Sequence, residues 1–473
     1  MTYQEAVEYL ESFVNYERQH DVPAMREVKL ERMQRLCRLL GDPQRWFRSV
    51  LVTGTNGKGS ICAMLYSMLR EASLRVGLYT SPHLEHLRER IRVWTPDRGS
   101  LDRMHGDDWI SEDEFVAVLE ELRPVLEELR REVPEKPPTH FEVLTVMALV
   151  YFRRRRVEVA VLEVGLGGRL DATNIVSQTI SIFGPIDIDH ADVLGNDVVE
   201  IAKEKAGIIK PGQTVITISQ QRGVMEALRA VCDAQGVPLL TCGQELTANI
   251  LRHDLNGLQV SLTGLRGIYE LLEIPLLGRH QAENALAAVA ALEALSDTGV
   301  PYSVVERGLR QVEWPGRIEI VHDGPLVLMD GAHNPHAAAA LAATLLELCR
   351  HRKFHLLIGM SSDKSVEEFG ELLGGFAISA TCTKSRHPRA LDAMELAKRL
   401  APFCPDVHVM SDPADAYTYL LNALSPTDVL VVTGSFFLVG QLRAALRHAH
   451  VRSRRASQVQ TAAAAMVTSG VSG

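Results

Sequence analysis

Short apolar runs alternate with amphipathic stretches along this chain, and the alternation predicts an α/β protein. Apolar residues recur at helical spacing from Tyr3 to Val14 and from Leu30 to Leu40, which predicts two opening helices. The apolar run at 49–53 then ends in a glycine-rich turn that leads into a predicted helix, Ile61 to Arg70. A predicted strand at 76–79 completes a strand–helix–strand unit, so we expect a parallel sheet.

The rest of the first half repeats this pattern. Apolar runs that end in polar residues predict strands at 157–162, 179–183 and 214–218. Helical periodicity predicts helices at 111–131, 141–155 and 281–294. Alternating residues at 245–277 predict β-hairpins on the edge of the sheet, and the polar stretch 95–109 predicts an exposed loop.

After the turn residues at 296–301 the alternation starts again. Strands are predicted near 317–321, 326–329, 354–358, 377–382, 406–409 and 428–432, with helices between them. The predicted fold class is therefore α/β, with a mostly parallel, doubly wound sheet and a second, smaller α/β domain. The predicted domains are residues 1–297 and 302–450, followed by a low-complexity tail, 451–473, that we expect to be disordered.

Composition narrows the class of protein. A chain of 473 residues exceeds one ordinary core, and 46% hydrophobic residues with a mean hydropathy near zero predict a soluble globular protein. A formal net charge of -9 argues against a nucleic-acid surface. The seven cysteines include no CxxC pair, which favours reduced thiols in the cytoplasm. The longest apolar stretch, 141–152, is too short to span a bilayer, so we expect no membrane partner.

The glycine-rich turn is the first candidate site, and we call it the phosphate loop. Its residues are Gly54, Thr55, Asn56, Gly57, Lys58, Gly59 and Ser60. Backbone N–H groups of such a loop bind phosphates, Lys58 can reach the β and γ phosphates, and Ser60 can face a magnesium ion. The common spacing GxxxxGK[ST] is not met, because Val52 stands at the first glycine position and Gly59 separates Lys58 from Ser60. A glycine-rich turn without a ligand is therefore the alternative.

Three titratable residues lie near the ends of predicted elements in the first domain. Glu163 ends a strand, where a nucleotide enzyme needs a carboxylate for magnesium; the alternative is a capping or salt-bridged glutamate. His190 follows another strand among three aspartates and is either a ligand or a structural histidine. Lys205 lies in the segment EKAGI, where spacing alone favours an exposed helical lysine.

The second domain carries similar polar clusters. Arg317 follows the turn in WPGR, and Asp330 and His333 follow a predicted strand in MDGAHNP. Ser435 lies at another strand-to-helix junction, where Gly434 allows close backbone approach. An ordinary loop is the alternative explanation for each of these clusters.

Taken together and in order, these segments resemble one family. The segments GTNGKGS, TSPHL, ERI, FEVLT, EVGLGGRLDATN, EKAGI, HQAEN, WPGR, DGAHNP and GSFFLVG occur in the same order as in folylpolyglutamate synthases and dihydrofolate synthases of the Mur ligase superfamily. The resemblance covers about residues 1–447. It implies a P-loop, Mur-ligase-type central domain with the ATP and folate sites, and a C-terminal Mur ligase domain on the glutamate side.

The resemblance also implies roles at the nucleotide and metal sites. The phosphate loop with Lys58 would hold ATP, and the further nucleotide contacts would be Asn284, Arg317 and Asp330. The magnesium ligands would be Ser81, Glu163 and His190, with Ser60 close to the ion. Lys205 matches the family's carbamylated lysine, whose carbamate would face the metal.

The remaining implied roles concern the two substrates that are joined. His333 and Ser435 would lie at the glutamate and acyl phosphate site. The pteroate pocket would draw on Glu27, Val28, Lys29, Thr139, His140, Phe141, Glu142, Leu170, Asp171 and Ala172.

The implied reaction belongs to folate biosynthesis and one-carbon metabolism. ATP would convert the carboxylate of dihydropteroate, of a tetrahydrofolate or of both into an acyl phosphate, which L-glutamate would attack. We expect small-molecule partners only, in a cytoplasmic monomer. A cell-wall Mur-type amino-acid ligase is one alternative, with the same fold and mechanism. A non-catalytic ATP-binding protein is another, but it would not need Glu163, His190, Lys205 and His333 together.

Overall fold

The computed structural model describes residues 1–19, 22, 30–98, 106–134, 136–296 and 298–446, in two compact units. The first unit is formed by Met1–Arg317 with Ala339–Arg350, and the second by Ile318–Ala338 with the residues from His351 onward. The helix after the predicted domain boundary at 298–301 still contacts the first unit, because its Gly308 O accepts a hydrogen bond from Ser67 Oγ (2.7 Å). The first compact unit therefore extends past this boundary, to Arg317. The functional division of the chain into domains stays a prediction.

The first unit is built around a seven-stranded sheet. Its strands are β1 (Arg48–Thr53), β2 (Val76–Tyr79), β3 (Ile91–Trp94), β4 (Val159–Glu163), β5 (Ile180–Phe183), β6 (Thr214–Thr217) and β7 (Leu239–Thr241). Their order is β3-β2-β4-β1-β5-β6-β7, and only β2 and β3 are antiparallel neighbours. The central strands are almost wholly buried, as expected for a sheet with helices on both faces. The prediction of a mostly parallel α/β sheet is confirmed.

Ten helices are named in the described residues of Met1–Arg317. They are α1 (Tyr3–Glu11), α2 (Leu30–Leu39), α3 (Lys58–Glu71), α4 (Glu112–Glu132), α5 (His140–Arg154), α6 (Ala191–Leu194), α7 (Val198–Ala206), α8 (Arg222–Gln235), α9 (His280–Leu295) and α10 (Tyr302–Arg310). Helices α4 and α5 start at capping boxes, in which Ser111 pairs with Glu114 and Thr139 with Glu142.

The segment 245–277 was predicted as hairpins on the edge of the main sheet, and this placement is wrong. It forms a separate antiparallel sheet of β8 (Thr247–Asp254), β9 (Gly257–Thr263) and β10 (Ile268–Ile274), in the order β10-β9-β8. Leu258, Val260 and Leu262 on one face of β9 are fully buried in the same core as α9. Alternation shows that one face of a strand is covered, but it does not say by which element.

The prediction of an exposed loop at 95–109 is wrong at its end. Trp109 is buried, and the chain around it continues the sheet, because Val93 N donates to Asp108 O (2.8 Å) and Ile110 N donates to Ile91 O (2.9 Å). The polar residues that precede Trp109, including Asp107 and Asp108, concealed this pairing. Residues 99–105 lie outside the described part of the chain.

The second unit contains a six-stranded sheet that is also mostly parallel. Its strands are β11 (Glu319–Asp323), β12 (Leu326–Met329), β13 (Phe354–Ile358), β14 (Ala377–Cys382), β15 (Val407–Val409) and β16 (Val429–Thr433), in the order β11-β12-β16-β13-β14-β15. The named helices of this half of the chain are α11 (Pro335–Cys349), which belongs to the first unit from Ala339 onward, α12 (Val366–Leu373), α13 (Ala393–Leu400) and α14 (Pro413–Ala423), and residues 436–446 are also helical. The six predicted strands of this half are confirmed, and only β11 runs antiparallel to its neighbour.

None of the helices in the described ranges has both the length and the apolar character that a bilayer crossing requires. The predicted disordered tail, 451–473, lies outside the described residues.

Candidate functional site

The phosphate loop connects the central strand β1 to helix α3. Gly57 precedes the first helical residue, Lys58, with a φ of 76°, a backbone conformation that glycine adopts without strain. A Cβ at Gly54 would lie 3.0 Å from Gly184 Cα, so the loop after β5 requires a glycine at this point. Thr55 is also tied to that loop, because its N–H donates to Pro185 O (2.7 Å). The loop is therefore anchored to the loop after β5, and it leads into a helix N-terminus, a feature that favours anion binding.

Two lysines converge on one carbonyl of this loop. Lys58 Nζ donates to Gly54 O and Thr55 O (both 3.0 Å), and Lys205 Nζ donates to the same Gly54 O (3.1 Å). Burial, together with the nearby Lys58 charge, lowers the pKa of Lys205 to about 7. The alternative that Lys205 is an exposed helical lysine is excluded, since the side chain is buried at the end of α7.

Glu163 and Ser81 meet at the carboxyl ends of neighbouring strands. Strand β2 runs parallel to β4, so the loop after Tyr79 lies beside Glu163, and Ser81 N donates to Glu163 Oε2 (3.0 Å). Burial raises the pKa of Glu163, and the Lys58 charge partly offsets this effect. A buried carboxylate that is costly to ionise provides the hard oxygen donor that a divalent cation would stabilise. The Glu163 carboxylate is therefore of the chemical type that suits a magnesium ion.

His190 comes from the loop after β5, which also braces the phosphate loop. His190 precedes α6 with a φ of 51°, and its backbone N–H donates to Asp189 Oδ1 (2.8 Å). The Asp189 charge also acts on Lys205. Among the described residues, no three His, Cys, Asp or Glu side chains form a group that could hold a metal. The predicted set contains only two such side chains and a serine, so its metal role stays a prediction.

Sequence reasoning missed the residue that shapes the loop carrying Ser81. The carboxylate of Glu89 accepts hydrogen bonds from the backbone N–H groups of Leu84 (2.8 Å), Glu85 (2.9 Å) and His86 (2.7 Å). These bonds fold the chain between β2 and β3 around one buried acid. The segment ERI was noted only as part of the resemblance.

Arg90 anchors the same loop to the N-terminal segment. Its guanidinium is buried and makes a bidentate pair with Glu17, while its Nε donates to His83 Nδ1 (2.9 Å). Although burial alone favours the neutral acid, the Arg90 charge lowers the pKa of Glu17 to about 2. Burial and Arg90 lower the pKa of His83 to about 3. The pair between residues 17 and 90 had no signal in local spacing.

Helix α9 packs directly on the phosphate loop. A Cβ at Gly57 would lie 2.9 Å from Asn284 Oδ1, which places the predicted nucleotide residue Asn284 against the loop. Asn284 Nδ2 donates to Gln281 Oε1 (3.0 Å), and Gln281 Nε2 donates to Ser60 Oγ (3.4 Å). Gln281 was missed as a site residue, although the segment HQAEN contains it.

The predicted acceptor residues at the start of α5 are mostly engaged within the protein. Glu142 accepts hydrogen bonds from Thr139 N (2.7 Å) and from Arg32 Nε (2.8 and 2.9 Å). Burial and the charge of Arg90 lower the pKa of His140 to about 4. The ring of Phe141 lies so close to the chain that a Cβ at Gly165 would be 2.6 Å from its Cζ. Phe141 therefore packs against the loop after β4.

Asp171 organises that loop. Its carboxylate accepts hydrogen bonds from the N–H groups of Gly165 (3.1 Å) and Leu166 (3.0 Å), and from the N–H and hydroxyl of Thr173 (2.9 and 2.5 Å). Burial raises its pKa, and these bonds partly offset the effect. Ala172 is buried and Leu170 partly buried beside it. The other predicted pocket residues, Glu27, Val28 and Lys29, lie outside the described part of the chain.

In the second unit, the loops after β12 and β16 bring three predicted residues together. Asp330 accepts from Ile318 N and Ala332 N (both 2.9 Å), which fixes the backbone directly after Arg317. His333 Nδ1–H donates to Gly331 O (2.8 Å), so in the neutral form of the ring the lone pair lies on Nε2.

Ser435 is held beside this loop by the backbone. Gly434 N donates to Ala332 O (3.0 Å), and Ser435 Oγ accepts from Phe437 N (3.2 Å). Because β12 and β16 are parallel neighbours, their carboxyl ends place His333 and Ser435 on the same edge of the sheet.

A charged cluster at the same edge was missed by sequence reasoning. Asp363, after β13, lies 3.3 Å from the Arg389 guanidinium and 3.9 Å from Lys364 Nζ. The ring of His387 stacks on Phe437 with 3.7 Å between centroids. The signal was present, since the polar segments SSDKS and SRHPRA follow two predicted strands.

Two family models match the chain. The Mur ligase middle domain matches residues 114–292, and the Mur ligase glutamate ligase domain matches residues 316–436. The two matches leave the phosphate loop outside their bounds.

Relatives and solved structures match over nearly the whole chain. The dihydrofolate synthase/folylpolyglutamate synthase of Mycobacterium tuberculosis is 35% identical over 88% of this chain and 90% of its own length. That of Bacillus subtilis is 31% identical over 88% of this chain and 95% of its own. A Mycobacterium tuberculosis folylpolyglutamate synthase complexed with ADP has a TM-score of 0.84, with 31% identity, 94% of this chain and 98% of that one covered. An Escherichia coli FolC structure with DHPP and ADP has a TM-score of 0.78, 28% identity, and coverage of 95% and 99%.

Proposed function

Because this chain belongs to the dihydrofolate synthase/folylpolyglutamate synthase family of Mur ligases, we propose that it uses ATP to join L-glutamate to the carboxylate of dihydropteroate or of a folate. The observation that carries the proposal is the convergence of Lys58 and Lys205 on one carbonyl of the glycine-rich loop, with the Lys58 charge also acting on the buried Glu163. A helix N-terminus with the Lys58 ammonium beside it suits a polyphosphate, and the buried carboxylate suits its cation.

In the first step, the γ-phosphoryl group of ATP passes to a carboxylate oxygen of the acceptor, giving an acyl phosphate and ADP. The N–H groups of the phosphate loop bind the phosphates, and Lys58 stabilises the charge that spreads over the transferred group. To do so, Lys58 Nζ exchanges Gly54 O and Thr55 O for phosphate oxygens. Asn284, Arg317 and Asp330 are the proposed further contacts of the nucleotide site.

Ser60, Ser81, Glu163 and His190 are the residues that would hold magnesium. The ion would supply charge neutralisation between the phosphates and the acceptor. Ser81 N–H already orients Glu163 Oε2, so the strand-end loop and the acid act as one unit.

In the second step, the amine of L-glutamate attacks the acyl carbon, the C–O bond to phosphate breaks, and inorganic phosphate leaves. His333 would accept through Nε2 the proton that the amine loses, since its Nδ1–H is engaged with Gly331 O. Ser435 would contact the same intermediate from the neighbouring loop. The acceptor would lie along 139–142 and 170–172, together with 27–29.

The proposal is tested by measuring ADP release with dihydropteroate and tetrahydrofolate offered separately, each with and without L-glutamate. Glutamate-dependent ADP release with either acceptor is expected, and ¹⁸O on the acceptor carboxylate should appear in the released phosphate. ADP release at the same rate with and without either acceptor would overturn the proposal. Activity only with a nucleotide-linked muramyl acceptor would favour the cell-wall alternative. The same preparations measured by sedimentation would test the predicted monomer, and cell fractionation would test the predicted cytoplasmic location.

Lys205 is expected to take up carbon dioxide. A neutral amine attacks the carbon of CO₂ and releases a proton to solvent, leaving a carbamate anion. With a pKa of about 7, the neutral fraction of Lys205 rises from roughly one-tenth at pH 6 to roughly nine-tenths at pH 8, whereas an ordinary lysine stays almost fully charged. Carbamate formation should therefore increase steeply across this range.

The measurement is ¹³C NMR of the protein equilibrated with ¹³CO₂ at pH 6 and pH 8. A carbamate resonance is expected that grows with pH and disappears in Lys205→Met. The matched control is Lys203→Ala on the same helix, whose side chain is half exposed and pairs with Glu200. A resonance of equal size at both pH values, or one that survives Lys205→Met, would contradict the assignment.

A further inference from the structure

Trp314 lies directly against the phosphate loop, at Gly59. A Cβ placed at Gly59 would lie 2.8 Å from Trp314 Nε1 and 3.0 Å from its Cζ2. Such distances do not occur between a real Cβ and its neighbours, so the indole fills the space that a side chain at position 59 would need. Gly59 is therefore required by the ring that covers it.

The placement of this ring carries an energetic cost. Trp314 Nε1 is buried without a hydrogen-bond partner, and an unpaired buried donor typically costs about 1–3 kcal/mol. The ring is held from another side by Arg92, whose guanidinium carbon lies 5.3 Å from the ring centroid, within the range of a cation–π contact. A ring kept in this position at the expense of its own hydrogen bond indicates that its packing on Gly59 matters.

The position of Gly59 within the loop gives this packing a meaning. In the common motif a hydroxyl residue follows the lysine, whereas here Gly59 follows Lys58 and the hydroxyl is delayed to Ser60. Successive helical residues are about 100° apart around the axis, so Lys58 and Ser60 are separated by about 200°. A glycine between them also leaves the first helical turn conformationally loose.

We propose that Trp314 is a positioning residue of the nucleotide site, whose indole, supported by Arg92, packs on Gly59 and fixes the first turn of α3 so that Lys58 and Ser60 act on the same ligand. The inference rests on the proposed binding of ATP at this loop. Trp314 acts through the loop and does not itself need to touch the nucleotide.

The test compares Trp314→Phe in two backgrounds, the unsubstituted chain and Gly59→Ala. Phenylalanine lacks the pyrrole ring that carries Nε1, so it leaves room for a methyl group at position 59. In the unsubstituted chain, Trp314→Phe is expected to raise the KM for ATP several-fold while kcat changes little. Gly59→Ala alone is expected to raise it by about tenfold, because the overpacked loop shifts. In the Gly59→Ala background, Trp314→Phe is expected to lower the KM again.

This reversal of sign distinguishes positioning from a general loss of structure. Calorimetric ADP binding and thermal unfolding are measured on every variant. The controls are Gly375→Ala, where a Cβ would meet nothing within 4 Å, and Trp46→Phe, whose side chain is exposed. If Gly59→Ala does not fold, Trp314→Phe and Arg92→Met decide the matter, since both should weaken ADP binding with little change in unfolding temperature.

Trp314→Phe effects of equal size and sign in both backgrounds would overturn the positioning role, as would unchanged ADP binding in Trp314→Phe and Arg92→Met. In both cases the unsubstituted protein still releases ADP in the presence of its acceptor, so the proposed ligase function stands. If the unsubstituted protein binds no ATP or ADP, the proposed function and this inference fail together.

Discussion

Lys58→Ala is expected to reduce kcat/KM for ligation by about 10³-fold, the loss typical of removing a preorganised group that stabilises a transition state. The ammonium of Lys58 lies on the loop's own carbonyls at Gly54 and Thr55, and its charge acts on both Glu163 and Lys205. Removing it would deprive the transferred phosphoryl group of the cation that we propose stabilises it. Because that charge develops most fully in the transition state, kcat should fall more than the KM for ATP rises.

Steady-state ADP release at saturating acceptor and L-glutamate provides the measurement, with calorimetric ADP binding beside it. Lys203→Ala is the matched control, since this lysine is half exposed on α7 and should leave activity unchanged. Because the Lys58 charge lowers the pKa of Lys205, Lys58→Ala should raise that pKa. The Lys205 carbamate should therefore form at a higher pH in Lys58→Ala than in the unsubstituted protein. A nearly unchanged kcat in Lys58→Ala would contradict the proposed role of Lys58 in stabilising the transition state.

Strand ends were the part of this site that the sequence could predict. A parallel sheet collects the carboxyl ends of its strands at one edge, so polar residues after apolar runs mark a site before any contact is known. Glu163 after β4 and Ser81 after β2 meet by this rule, and the same holds for His333 and Ser435 after β12 and β16. Each of these residues is close in sequence to its own strand, and the sheet brings residues of neighbouring strands close in space.

Long-range pairs could not be predicted in this way. Arg90 and Glu17 form a pair across 73 positions, and neither follows the carboxyl end of a strand. Asp171 was predicted as a substrate residue, yet its oxygens are occupied by four hydrogen bonds that shape the loop. A carboxylate in a motif has the same sequence signature whether it binds a ligand or its own backbone, because both uses need an acceptor at that position.

The packing partners of apolar faces were equally hidden. The alternation in β9 correctly indicates one buried face, but the partner that covers it is α9 and not an edge of the main sheet. Trp314 was noted only as the first letter of a motif, and its role emerges from the space that it occupies above Gly59. Steric complementarity of this kind has no periodicity, so it becomes visible only when the distances are known.

Glu163→Gln should reduce kcat by about 10²- to 10³-fold and raise the magnesium concentration needed for half-maximal activity. The substitution keeps an oxygen that can accept from Ser81 N–H and keeps the volume of the side chain, so the loop after β2 stays in place. What it removes is the negative charge that a divalent cation would bind, and such a cation is worth several kcal/mol of transition-state stabilisation. The protein should remain as stable or become slightly more stable, because burial raises the pKa of Glu163 and the buried acid opposes its own ionisation.

Magnesium titrations of ADP release, and calorimetric titration of magnesium into the ADP complex, separate this role from a structural one. The matched control is Glu158→Gln, which changes an exposed acid just before the same strand. Magnesium affinity should fall in Glu163→Gln and stay unchanged in Glu158→Gln. If Glu163→Gln instead lost thermal stability while its magnesium dependence remained that of the unsubstituted enzyme, Glu163 would be a structural acceptor for the Ser81 loop, and the ion would have to be held by other groups.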